Sequence, residues 1–360
     1  MPFKGQVAAK LVLEDGSEFA GVSFGAQKSA AGEVVFNTGM VGYNESLTDP
    51  SYAGQILCFT FPLIGNYGVP MKEKLGGVEK FFESEKIHLT GLVVNNYSDD
   101  FSHWNAKNSL SDMLKEEQVP AITGIDTRAL TKRLREKGVL LGKIVVGKED
   151  VAFFDPNMEN LAAKVSCAEP VVYGTGGKKV LLIDCGAKNN IVRSLLNRGV
   201  SVIRVPAEHD FFANKIDFDG VVVSNGPGDP KMCAKTISLL RRVLENEVPT
   251  FGICLGNQLL ALSIGADTYK LKFGHRSQNQ PCVLSGTKKC FITSQNHGFA
   301  VDKKTLPKQW EEWFCNLNDG TNEGIRHKSK PFMGVQFHPE ASPGPLDTAF
   351  LFDEFLRELK

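Results

Sequence analysis

The chain has 360 residues, 42% hydrophobic and 23% charged, the make-up of a globular protein with room for one large or two ordinary domains. Basic and acidic residues number 41 each, so no net field recommends a nucleic acid or an anionic membrane as partner. Eight cysteines (Cys58, Cys167, Cys185, Cys233, Cys254, Cys282, Cys290 and Cys315) lie scattered without a C-x-x-C pair, as expected of reduced thiols in a reducing compartment. No apolar run is long enough to span a bilayer, and Met1 to Lys10 lacks the apolar core of a signal peptide. The expected location is the cytosol; a processed organellar protein would show the same sequence features.

From Gln6 to about Val165, short strands and turns dominate. Val7 to Leu13 reads as a strand, and Glu14-Asp15-Gly16-Ser17 as a hairpin turn. Glu33–Asn37 and Gln55–Phe59 read as further strands, with Thr48-Asp49-Pro50-Ser51-Tyr52 a polar turn between them. Helices are expected near Val78–Glu85, Ser109–Gln118 and Asp126–Lys137; Asp126 is a good N-cap and Gly138 a good stop. This half, 1–166, reads as an α+β domain.

Between residues 167 and 178 periodicity is lost, and Pro170 with Gly174-Thr175-Gly176-Gly177 reads as a linker. From 179 to 360 strands and helices alternate. Strands are expected at Lys179–Ile183, Val200–Val205, Gly220–Ser224 and Pro249–Ile253, with helices at Asn189–Asn197 and Thr236–Asn246. That rhythm predicts an α/β domain with a mainly parallel, doubly wound sheet. In such sheets ligands bind at the carboxyl ends of the strands. Four segments are read there: Asn225–Pro230, Gly252–Gly256, Ser294–Phe299 and His338-Pro339-Glu340.

Gly252-Ile253-Cys254-Leu255-Gly256 places a cysteine between two glycines at a strand-to-helix turn, the layout of a nucleophile elbow. The helix N-terminus there favours a thiolate. A thiol nucleophile needs a base. Of the seven histidines, His338 stands out, because it ends the apolar strand Phe332–Phe337 and has Glu340 two residues on. In extended backbone, i and i+2 point the same way, so Glu340 is expected to orient His338. Gly226-Pro227-Gly228 is placed to supply an oxyanion-hole N–H beside that of Leu255. A lone cysteine is usually a small buried hydrophobe, and a Gly-Pro-Gly run or an Asn-His-Gly-Phe stretch is as easily a plain turn or hairpin loop. The conjunction of elbow and base carries the weight. No histidine or cysteine has metal-ligand spacing, and no P-loop for ATP is present.

The elbow, Asn225-Gly226-Pro227-Gly228-Asp229-Pro230 and His338-Pro339-Glu340 together resemble a class I (triad) glutamine amidotransferase domain. Gly32–Gly39, Gly42-Tyr43, Leu47–Tyr52, Pro62–Gly68, Gly124–Arg128 and Ser294–Ala300 resemble the carbamoyl-phosphate synthetase small subunit, most nearly the glutaminase regions of eukaryotic multidomain synthetases. The resemblance implies Cys254 as nucleophile, His338 as acid and base and Glu340 as orienter. It implies glutamine contacts from Ser51, Gly226, Gly228, Leu255, Gln258, Asn296, Gly298 and Phe299. It implies L-glutamine as substrate, hydrolysed through a thioester. The ammonia would be tunnelled to a large synthetase subunit or a fused synthetase domain, which would use ATP, magnesium and bicarbonate; this chain would need no cofactor. Asn257 departs from the histidine that many amidotransferases carry there. Two other readings stay open: a glutaminase of a different synthase, and a non-catalytic regulatory or scaffold module.

Overall fold

The computed structural model describes residues 7–359. It divides the chain into two compact units, Met1–Glu73 with Glu79–Pro156, and Lys74–Val78 with Asn157–Lys360. Of the Met1 to Lys10 stretch read for a signal peptide, residues 1–6 lie outside the described part.

The first unit is built on a closed seven-stranded barrel. Its strands are β1 (Ala8–Leu13), β2 (Glu18–Ser23), β3 (Ala30–Asn37), β4 (Gln55–Phe59), β5 (Gly91–Val93), β6 (Ala121–Thr123) and β7 (Leu140–Val146). They close in the order β1-β7-β3-β4-β5-β6-β2. The Asp15-Gly16 turn joins β1 to β2 antiparallel, with Gly16 at φ +84°. Helix α1 spans Tyr43–Thr48, α2 Leu110–Glu116 and α3 Thr127–Lys137. The Ser109 hydroxyl caps α2, and the Asp126 carboxylate accepts from Ala129 N at 2.8 Å to cap α3, which ends at Gly138 with φ 104°.

Two expectations fail here. The stretch 78–85 is not a helix. Val78, Glu79, Phe82 and Glu83 are buried at helix-like spacing, but the backbone finds distant partners: Lys80 N donates to Glu73 O at 2.7 Å and Glu83 N to Thr48 Oγ1 at 3.0 Å. The turn expected at 48–52 is a 3₁₀ helix, Pro50–Tyr52, started by Asp49, whose carboxylate accepts from Ser51 N at 2.9 Å.

From Asn157 on, the second unit carries α4 (Leu161–Val165) and a ten-stranded sheet. In chain order its elements are β8 (Val171–Tyr173), β9 (Lys179–Asp184), α5 (Asn189–Leu196), β10 (Ser201–Pro206), β11 (Gly220–Val223), α6 (Ala234–Glu245), β12 (Thr250–Ile253) and α7 (Leu255–Ser263). Then come β13 (Asp267–Leu284), β14 (Cys290–Asp302), β15 (Trp310–Asn316), β16 (Asn322–His327), β17 (Phe332–Val335) and α8 (Phe350–Arg357). The strand order is β8-β10-β9-β11-β12-β17-β16-β15-β13-β14.

Only β10-β9-β11-β12-β17 pair in parallel; the sheet is mixed rather than mainly parallel. The reason lies in the connections. Parallel neighbours need a long crossover, and helices supply it up to α7. From Asp267 to His327 no α-helix separates the strands, so they fold back antiparallel. The expected linker is also more than a linker: Val171–Tyr173 pairs with β10, Val171 opposite Arg204. Gly176 in it answers to close approach, since a Cβ there would lie 2.2 Å from Gly199 O, whereas one on Gly177 would meet nothing within 4 Å.

The central strands alternate between two cores. Val180, Leu182 and Val222 pack with α5 and α8, whereas Leu181, Ile183, Val221 and Val223 pack with α6 and α7. Both faces of the parallel centre are therefore covered by helices. Among the described residues no helix is long and apolar enough to cross a membrane.

Candidate active site

Cys254 is the hinge between β12 and α7. Its φ of 55° and ψ of −103° are strained for a side chain, by about 1–3 kcal/mol, and its backbone is pinned from both sides. Its N–H donates to Val335 O at 2.8 Å, and its carbonyl accepts from Asn257 N and Gln258 N. The flanking glycines are dictated by contact. A Cβ on Gly252 would sit 2.6 Å from the Gly256 carbonyl, and one on Gly256 would sit 2.1 Å from Val223 O. The thiol lies 3.6 Å from Asn296 O and accepts from Gln336 Nε2 at 3.7 Å.

His338 follows β17, and its N–H donates to Ser294 O at 2.9 Å. Its Nδ1 is 2.6 Å from Glu340 Oε1. The segment is a turn, not the extended run expected, for His338 O accepts from Ala341 N at 3.1 Å. The pairing survives because the turn brings the carboxylate back under the ring. Both groups are buried. Burial works against the charged form of His338, but the charges of Glu340 and Cys254 outweigh it and raise the ring to about 10. For Glu340, burial is likewise overcome, by Lys188 and then His338, which hold the carboxyl down at about 2. Among the described residues the second ring nitrogen, Nε2, has no partner at hydrogen-bond distance.

Lys188 was not singled out by the sequence. It follows β9 as N-cap of α5, and its Nζ lies 3.1 Å from Glu340 Oε1 and donates to Ala341 O. Asn190 Nδ2 donates to the Glu340 carbonyl, and Lys188 N donates to Asn225 Oδ1 at 3.0 Å. The signal was available: Cys185-Gly186-Ala187-Lys188 is one more loop at the carboxyl end of a central strand. Gln336 was also missed, hidden inside an apolar run.

The Gly226–Gly228 loop lies against the elbow, since a Cβ on Gly226 would meet Cys185 O at 2.1 Å and Leu255 Cδ2 at 2.8 Å. Gly228 has φ +88°. Asn296, Gly298 and Phe299 stand within β14, not beyond a strand end or in a hairpin loop as the sequence suggested. Gln258 Nε2 donates to Phe299 O at 2.8 Å and to Gln336 Oε1 at 3.1 Å, so its amide is already engaged in the protein. Asn257 is fully buried, and among the described residues neither atom of its amide group has a hydrogen-bond partner. Ser51 belongs to the first unit, buried on the 3₁₀ helix. His275, His297 and Glu323 bring three potential ligand atoms within 4.8 Å of one another.

Residues 181–358 match the family model of glutamine amidotransferase class-I, and residues 11–144 match that of the carbamoyl-phosphate synthase small chain, CPSase domain. An arginine-specific small chain of carbamoyl phosphate synthase from Aspergillus oryzae is 50% identical, over 98% of this chain and 80% of its own. The multifunctional protein CAD of Squalus acanthias is 53% identical over 97% of this chain, and the mitochondrial carbamoyl-phosphate synthase [ammonia] of Homo sapiens 50% identical over 98%. This chain spans only 16% and 24% of those two longer relatives. It carries a class-I glutamine amidotransferase domain, and the chain belongs to the carbamoyl-phosphate synthase small-chain family.

Proposed function

We propose that the chain hydrolyses L-glutamine to glutamate and ammonia, and that the ammonia serves a carbamoyl-phosphate synthetase subunit or domain. The observation that carries this is the strained Cys254 at a helix N-terminus together with the buried, charge-paired His338 and Glu340.

The reaction runs in two halves. His338 takes the Cys254 proton, and the sulfur attacks the amide carbon of glutamine. The resulting oxyanion is held by the Leu255 N–H and a glycine N–H of the Gly226–Gly228 loop. As the carbon–nitrogen bond breaks, His338 gives its proton to the leaving nitrogen, and ammonia departs from a glutamyl thioester. Water then attacks the thioester, His338 receiving its proton. The carbon–sulfur bond breaks, the sulfur regains the proton, and glutamate leaves. Glu340 holds the ring in orientation and favours its charged form throughout.

Asn296, Gly298 and Phe299 offer main-chain groups to the substrate. Gln258 acts on that stretch through its bond to the Phe299 carbonyl. Ser51 is a further residue to which we assign a glutamine contact. No cofactor is assigned to this chain; ATP, magnesium and bicarbonate belong to the synthetase partner. The test is glutamate release from glutamine by the full chain with its partner, compared with Cys254→Ser. Hydrolysis that depends on Cys254 is the expected outcome, and hydrolysis untouched by the substitution contradicts the proposal.

A further inference from the structure

A second buried polar cluster adjoins the reacting thiol, and the proposed reaction makes no use of it. His275 on β13 faces His297 on β14 in register, the rings 4.9 Å apart and nearly perpendicular. His275 Nε2 is 2.8 Å from Asp319 Oδ2, while Nδ1 is 2.9 Å from Gln295 Oε1 and 3.2 Å from Glu323 Oε1. Both nitrogens thus face acceptors, which a ring carrying two protons satisfies. Burial opposes that charge, but the hydrogen bonds and charges of Asp319 and Glu323 prevail and raise the ring to about 9.

Gln295 is fixed from its other end. Thr293 Oγ1 donates to Gln280 O at 2.9 Å, and accepts from Gln295 Nε2 at 3.0 Å. The Gln295 carbonyl oxygen is therefore turned toward the two rings, where His297 Nε2 lies 3.0 Å away. His297 Nδ1 in turn stands 2.8 Å from the Phe299 carbonyl. Glu323 leads to the thiol by another route. Its own carbonyl accepts from Gln336 N at 2.9 Å, and Gln336 Nε2 donates to Cys254 Sγ. Each ring nitrogen in this cluster faces an oxygen, and His297, which burial and then the charge of His275 keep neutral, has one N–H to share between Gln295 Oε1 and the Phe299 carbonyl; the cluster reads as a hydrogen-bonded network rather than a metal centre.

We propose that His275 is a positioning residue of the glutamine site: clamped by Asp319 and Glu323, it holds Gln295, and through Gln295 and His297 it fixes the main chain of residues 296–299. The inference rests on the glutaminase reading above. Without His275, Glu323 is a buried carboxylate left with the Asn316 amide at 3.1 Å, and Gln295 Oε1 loses the His275 N–H. Strand β14 then relaxes at the point where it meets the substrate.

The test compares three variants of the full chain with its partner. His275→Leu removes both contacts. In His275→Asn the amide nitrogen overlays Nδ1 and keeps the bond to Gln295, whereas His275→Gln reaches only toward Asp319. Expected is a KM for glutamine raised about tenfold or more in His275→Leu and His275→Gln, with kcat within about threefold, and recovery in His275→Asn. Histidine ring ¹⁵N spectra of the same proteins report His297 independently: its signals move in His275→Leu and keep their positions in His275→Asn. An unchanged KM in His275→Leu, or Asn and Gln variants that behave alike, overturns the proposal. If the unsubstituted protein hydrolyses no glutamine, the glutaminase reading fails instead, and the His297 signals alone decide whether His275 positions that ring.

Discussion

Lys188 Nζ stands 3.1 Å from Glu340 Oε1, with 4% and 0% of the two side chains exposed. The carboxylate that orients His338 is therefore itself held by a buried cation. Removing one partner of such a pair leaves the other charge unpaired in the interior, at a cost of about 3–5 kcal/mol. Lys188→Met is expected to lower unfolding stability by about that amount and to depress glutamine hydrolysis. Urea melts together with a glutamate-release assay check both; a variant as stable and as active as the parent contradicts this role.

The paired charges also set a pH window. Glu340 is held at about 2 against its ordinary 4.5, so its stabilisation is complete above 4.5 and lost as pH falls through about 2. His338 is raised to about 10 from 6.5, so its contribution is complete below 6.5 and lost as pH rises through about 10. Because Glu340 raises His338, Glu340→Gln is expected to move the alkaline limb of the glutaminase profile to lower pH. A limb at the same pH in both proteins removes Glu340 as the source of the shift.

The strained backbone at Cys254 separates stability from activity. Cys254→Ala and Cys254→Gly both remove the sulfur, but only glycine accepts the φ of 55° without strain. Both variants are expected to be inactive, with the glycine form more stable than the alanine form by about 1 kcal/mol. Equal melting temperatures show that the elbow stores no strain.

Ser51 is a proposed substrate contact. Ser51→Ala is expected to raise the KM for glutamine several-fold while leaving kcat near the parent value, the pattern of a lost ground-state contact. Steady-state kinetics with glutamine as the varied substrate measure it, and an unchanged KM takes Ser51 out of the site.

Much of this site was legible because short-range rules govern it. The elbow follows from Gly252 and Gly256, whose contacts tolerate no Cβ; the His338–Glu340 pairing is local too, but a turn makes it, not the extended backbone from which it was expected. What stayed hidden depends on contacts distant in sequence. Lys188 meets Glu340 only because β9 and β17 both end at the same edge of the sheet. The apparent helix at 78–85 was undone by Thr48 and Glu73, whose groups satisfy its backbone. The mixed sheet was missed because Asp267–Leu284 and Cys290–Asp302 are long strands with mixed burial that carry no clean period. The His275 cluster draws on three strands and the Asp319 turn, and no local motif announces it.

The central claim is that Cys254 is the nucleophile that releases ammonia for carbamoyl-phosphate synthesis. The most direct measurement is carbamoyl-phosphate formation by Cys254→Ser with its synthetase partner, supplied first with glutamine and then with ammonia. The account predicts that glutamine-dependent synthesis is abolished while ammonia-dependent synthesis stays at the parent rate. Full glutamine use by that variant would contradict it.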